Sequence, residues 1–167
     1  MATGYSLKAL ALAAGAAAAL GLAGCQSAAP EAAADRQLTG INIPEGSNED
    51  FIVNVGRRVF FSENSADLTD VARATLDKQA DWLTRYPAYK IKIEGFSDEK
   101  GTADVNTALG QKRAQSVMSY FALKGVSAAR MRTKSFGNTR PVRKCDDLSC
   151  WSQNRRVVTV LDTEVGS

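Results

Sequence analysis

Residues 94–115 read EGFSDEKGTADVNTALGQKRAQ. The run passes from strand chemistry through a polar turn into helix chemistry, so it fixes one strand–loop–helix unit. Upstream, YKIKIEGF (89–96) alternates Ile91 and Ile93 with Lys90, Lys92 and Glu94, the pattern of a half-buried strand. Downstream, a helix over 102–124 starts at Thr102 as cap and stops at Gly125, a natural C-terminal glycine. Val105, Leu109, Val117, Met118 and Phe121 are its expected buried stripe.

The same kinds of signal continue outward. FIVNVGRRVFF (51–61) is β-branched and aromatic and predicts a strand. Thr69 is a good cap for a helix over 71–86, with Ala72, Leu76, Ala80 and Leu83 at helical spacing and Pro87 as its stop. RMRTKSFG (130–137) predicts a third strand, and RRVVTVLD (155–162) a last one beyond a long loop. The order β-α-β-α-β-β predicts an α+β fold of two layers, its helices packed on one face of a small mixed sheet.

Composition narrows the chemistry. The chain has 167 residues and a net charge of +3, of which Lys8 alone lies in residues 1–24, leaving +2 for the rest. That balance argues against a nucleic-acid binder, which concentrates basic charge on one face. There is no histidine, which excludes a Ser-His-Asp triad and an imidazole metal site. The three cysteines, Cys25, Cys145 and Cys150, do not make a zinc pattern, and no metal or cofactor is expected.

The opening run holds the candidate site. Asn106 and Arg113 lie seven residues apart, two helical turns, and so share one face. Gly110 between them costs the helix about 1 kcal/mol against Ala. The missing side chain leaves room for a ligand or for a passing backbone. Asp98 lies in the loop entering the helix, and Thr102 at its N-terminus sits where anions are favoured. Arg113 would fork a carboxylate while Asp98 accepts from an ammonium, which suits a small zwitterion. An exposed Asp–Arg pair on a solvated helix is the competing reading, and the physics alone does not separate them. On the zwitterion reading, Ala at either position should abolish binding without unfolding the domain.

At the N-terminus, residues 1–24 show the Lys8, apolar-run and small-residue layout of a secretory signal. The Ala- and Gly-rich run is too short and too weakly apolar for a membrane span, which wants about 20 residues. LAGC, Leu22 to Cys25, resembles the lipobox of bacterial lipoprotein precursors. That resemblance implies a diacylglycerol thioether on Cys25 and cleavage before it. Two or three chains at about 0.8 kcal/mol per buried methylene make a lasting anchor. Gln26, in place of the retention Asp, points to the outer membrane, with the domain facing the periplasm. Residues 25–47 then make the lipidated cysteine and a tether, 48–163 the domain and 164–167 a tail.

Residues 94–117, EGFSDEKGTADVNTALGQKRAQSV, resemble the signature of the OmpA-like peptidoglycan-binding domain. FFSENSADLTDVARATLDKQADWLTRYP resembles that domain's first strand–helix unit, and SFGNTRPV and QNRRVVTV its closing elements. Together they cover about residues 50–162, and the lipobox and short tether are those of the family's lipid-anchored members. The resemblance implies that the ligand is the meso-diaminopimelate of the peptidoglycan stem peptide, whose distal carbon carries an ammonium and a carboxylate. The family's ligand Asp, Asn and helix Arg fall on Asp98, Asn106 and Arg113, and its terminal Asn-Arg-Arg on Asn154, Arg155 and Arg156. Neighbouring strand residues face opposite ways, so one of the two arginines faces the site, and Arg155 is the choice. Two departures stand out: Phe96 where the family often has His, and Lys100 where Arg is common. Both bear on rim contacts and on the family's periplasmic partner TolB.

In an oxidising envelope Cys145 and Cys150, separated by DDLS, are expected to form a disulfide, with two free thiols as the alternative. Three functional classes follow. The first is a non-catalytic tether between outer membrane and peptidoglycan, acting within the Tol-Pal system in envelope constriction during division. The second is a peptidoglycan-modifying enzyme using Glu94, Asp98 and Glu99. The third is a structural OmpA-like lipoprotein outside that system. The enzyme is disfavoured, because an Asp beside Arg is pushed away from the raised pKa of a general acid and no nucleophile with a base is available.

Overall fold

The computed structural model describes residues 42–162. The signal segment, Cys25, most of the tether and the C-terminal tail lie outside the described residues. The chain runs α1 (Asn48–Asp50), a π turn (Phe51–Val55), β1 (Arg58–Phe60), α2 (Asp70–Arg85), β2 (Lys90–Phe96), α3 (Ala103–Leu123), β3 (Met131–Gly137), α4 (Leu148–Asn154) and β4 (Arg156–Asp162). The sheet order is β1-β4-β2-β3. β4 is antiparallel to both β1 and β2, and β2 is parallel to β3, so β4 alone runs against the other three. This is the expected α+β arrangement on a mixed sheet.

Register sorts the faces. Ile91 pairs with Leu161, Ile93 with Thr159 and Gly95 with Val157, so one face of β2 and β4 is presented to the helices. Those positions join Leu76, Ala80 and Leu83 of α2 and Val117 and Phe121 of α3 in one core. Thr69 caps α2 by accepting from the Ala72 amide at 3.2 Å, and all four expected apolar positions of α2 are buried. One buried polar pair crosses this core. Gln79 donates to the Gly56 carbonyl at 2.7 Å and accepts from Thr159 at 2.7 Å, so neither end is left unsatisfied.

Three expectations need correction. The strand predicted over 51–61 survives only at Arg58–Phe60. Ahead of it the chain coils, because Ser47 caps α1 by accepting from the Asp50 amide and Phe51 packs against the Trp82 ring at 4.9 Å. Gly56, at φ 82°, then turns the chain out. Asp50 holds the turn together by accepting from Trp82 (2.7 Å), Asn54 (2.8 Å) and the Gly46 amide (3.0 Å). Gly46 also accepts from Tyr89, so part of the predicted tether belongs to the fold. Second, the long loop predicted before the last strand contains α4. It is one short helix capped by Asp147, and a Cys145–Cys150 disulfide with Cα atoms 5.8 Å apart ties it to the preceding loop.

The third correction concerns α3. Its buried face is Asn106, Gly110, Arg113, Ala114, Val117 and Phe121, while Val105 is exposed. The first half of the stripe is therefore polar or bare. Gly110 explains why. A Cβ on Gly95 would stand 1.9 Å from the Gly110 carbonyl, and one on Gly110 would stand 2.4 Å from Ser135 Oγ. The room left by Gly110 is filled by the Ser135 hydroxyl and the Gly95 carbonyl: α3 and β2 touch main chain to main chain, which sets Asn106 and Arg113 against the end of β2.

Gly95→Ala and Gly110→Ala should therefore both destabilise, Gly95→Ala more, since its clash is with backbone. Overpacking of this kind costs about 1–3 kcal/mol or more, read from the urea midpoint. The hydrogen bonds from Asn54, Trp82 and Gly46 hold the Asp50 carboxyl below its usual pKa. A depressed folded-state pKa adds stability above the unfolded value and loses it as pH falls through the folded one. Asp50→Asn should lower the melting temperature at pH 7, and the gap to wild type should narrow toward pH 3.

Candidate functional site

Four segments meet where α3 crosses β2: the loop after β1, the 97–102 loop, the N-terminal half of α3, and the junction of α4 with β4. Thr102 caps α3 by accepting from the Val105 amide, which fixes where the helix begins. Asn106, buried, donates to the Lys100 carbonyl at 3.0 Å and pins the loop that carries Asp98.

Arg113 is fully buried. Its Nε donates to the Ser65 carbonyl (2.8 Å), Nη1 to the Phe96 carbonyl (2.9 Å) and Nη2 to the Ser62 carbonyl (3.0 Å). Three of the five guanidinium N–H groups are thus committed to backbone, leaving two. Burial is the largest influence on this group and lowers its pKa to about 10, with Asp98 opposing and Arg155 adding to the fall. It stays charged at neutral pH.

Asp98 is 6% exposed, and its direct partner is Arg155. Arg155 Nη1 donates to Asp98 Oδ2 at 3.2 Å while its Nε donates to the Phe61 carbonyl at 3.1 Å. Sequence reasoning picked Arg155 for the site but not as the partner of Asp98. The floor therefore holds two guanidinium groups and one carboxylate, a net charge of +1 that is set to attract a second carboxylate. Next to Asp98, the Ser97 hydroxyl is buried without a hydrogen-bond partner.

Arg156 points elsewhere. Its Cζ lies 3.9 Å from the centroid of the Phe96 ring, Phe96 stacks on Phe136 at 5.4 Å, and Arg140 covers Phe136 at 3.8 Å. Burial lowers the Arg156 pKa to about 10. Phe96, one of the two departures, thus packs in a four-layer stack, and it serves the site through its carbonyl. Asn154 binds the Val142 and Arg143 amides and donates to Glu99, holding the disulfide loop against the site. Lys100, expected to bear on the rim, takes partners there that the sequence did not suggest. Lys100 Nζ lies 2.9 Å from Glu63 and 4.1 Å from the Trp151 ring centroid. The signal available in sequence was Trp151 standing in an otherwise polar loop.

The described residues thus form an α+β domain whose α3–β2 crossing holds a buried cluster of one carboxylate and two guanidinium groups. The chain belongs to the OmpA family, whose profile matches residues 60–155. It is 51% identical over 144 residues to the peptidoglycan-associated lipoprotein of Rhizobium meliloti, an alignment covering 85% of this chain and 82% of that protein. Among solved structures it is similar to the peptidoglycan-associated lipoprotein from Burkholderia pseudomallei at 40% identity and a TM-score of 0.62, over 64% of this chain and 90% of that one. The C-terminal domain of Helicobacter pylori MotB shares the fold at 23% identity and a TM-score of 0.60, over 65% and 85% of the two chains. These relationships make the chain a non-enzymatic protein of the family, as its residues argued.

The geometry revises what the Arg113 variants report. The expectation that Arg113→Ala spares the fold does not suit a buried group that satisfies three carbonyls. Arg113→Lys should cost about 3 kcal/mol in urea denaturation, because one ammonium cannot reach acceptors on two loops and each buried carbonyl left unpaired costs about 1–3 kcal/mol.

Proposed function

We propose that this chain is a lipoprotein of the outer membrane, anchored through an acylated Cys25, that binds peptidoglycan without a covalent bond and tethers it to that membrane. Asp98 accepts from the ammonium of the stem-peptide diaminopimelate. Arg155 and the two uncommitted N–H groups of Arg113 draw in its carboxylate. Asn106 and Thr102 set the loop and helix start that present these groups. The names of its relatives support this reading, as does the reach of residues 26–41, at most roughly 55 Å. Its expected setting is the periplasm, with TolB and the Tol system as partners during envelope constriction.

The observation that carries the reading is the composition of the buried floor: one carboxylate and two guanidinium groups, the complement of an amphoteric group. A ligand with only an ammonium would leave the excess positive charge unanswered.

Sacculi should pull down the full chain purified in detergent, and Asp98→Asn should weaken this more than about thirty-fold, the scale of truncating a buried charge pair. Stem peptide with diaminopimelate should compete at least about ten-fold better than stem peptide with lysine, which lacks the distal carboxylate. Equal competition would remove the amphoteric ligand, and binding that survives Asp98→Asn would favour a lipoprotein that contacts the envelope through other proteins.

A further inference from the structure

Lys100 has contacts to every segment of the site. Its amide donates to Asp98 Oδ1 at 3.4 Å, and its carbonyl accepts from Asn106 at 3.0 Å. Its ammonium reaches Glu63 at 2.9 Å, in the same loop that gives Arg113 the Ser62 and Ser65 carbonyls. The same ammonium lies over Trp151, on the short helix that ends in Asn154 and leads into Arg155. The helix holds Arg155 directly, since the Arg155 amide donates to the Trp151 carbonyl at 3.0 Å.

We infer that Lys100 is a positioning residue for ligand binding: its side chain ties the Glu63 loop and the Trp151 helix to the loop of Asp98, and so holds the two arginines and the carboxylate in mutual register. The inference rests on the binding function proposed above. The geometry separates this role from fold stability. Glu63 and Lys100 have side chains 46% and 43% exposed, and neither belongs to the core. Exposed ion pairs and cation–π contacts are individually weak, so losing them leaves the domain folded, with the three segments joined only through the bonds of Arg155 to Phe61 and Asp98 and of Asn154 to Glu99, a looser tie at the rim. A loosened site is competent for only part of the time, and the loss falls mainly on residence time.

The test uses the full chain in detergent over an immobilised L-Ala-γ-D-Glu-meso-diaminopimelate tripeptide, with melting temperature measured in parallel. Lys100→Ala should speed dissociation roughly three- to ten-fold at unchanged melting temperature. Lys100→Met, which keeps the stem on Trp151 but loses the charge, should match it, and Lys100→Arg should return to within about two-fold of wild type. Unchanged dissociation in Lys100→Ala, wild-type behaviour of Lys100→Met, or failure of Lys100→Arg to rescue would each overturn the role of Lys100. If Asp98→Asn still abolishes binding in that case, the binding function stands without it. If wild type does not hold the tripeptide at all, both fall together.

Discussion

A guanidinium with no exposure to water must be satisfied by the protein around it, and Arg113 is satisfied by three carbonyls from two separate segments. Leaving such a charge unpaired is among the most costly things a fold can do. The loop after β1 and the end of β2 are therefore shaped around one side chain of α3. The Gly95–Gly110 contact is the precondition, because only a helix lying directly on the strand lets Arg113 reach the Phe96 carbonyl.

This ordering explains which features the sequence carried openly. The helices α2 and α3, their caps at Thr69 and Thr102, and strands β2, β3 and β4 follow from periodicity and local side-chain chemistry, which act within a few residues. The π turn at Phe51–Val55 does not, since its β-branched residues favour a strand until Trp82, some thirty residues away, gives Phe51 a place to pack. α4 spans seven residues, too few to display a period, and its stability comes from Asp147 and the disulfide. The stripe of α3 was misplaced for a different reason. A buried face made of Asn, Gly and Arg has no hydrophobic signature, so Val105 took its place in the reading.

The site was legible as a set of residues and illegible as a set of bonds. Asp98, Thr102, Asn106 and Arg113 lie on one loop and one helix, where spacing constrains them, and Arg155 is reached through the family resemblance alone. Partnership is another matter. Asp98 is bonded to Arg155, 57 residues away, and Arg113 to carbonyls about 50 residues upstream. Long-range pairing depends on how strands are ordered, and the placement of β4 between β1 and β2 is what brings Arg155 beside Asp98. The rim residues Glu63 and Trp151 were missed on the same ground.

The two arginines share the work in a way that a single exposed ion pair does not allow. Arg113 has most of its donors committed to backbone, so its position is fixed and its charge acts as a permanent field. Arg155 has one donor on a carbonyl and one on Asp98, so its charge is half-answered already. An incoming carboxylate meets excess positive charge without reorganising Arg113, and an incoming ammonium meets Asp98 held in place by Arg155. A purely cationic group would add to a floor that is already positive, and a purely anionic one would face Asp98. On the proposed function, the ligand would be read by groups of both signs, and the carbonyl cradle around Arg113 is what keeps the cation in place beside the buried carboxylate.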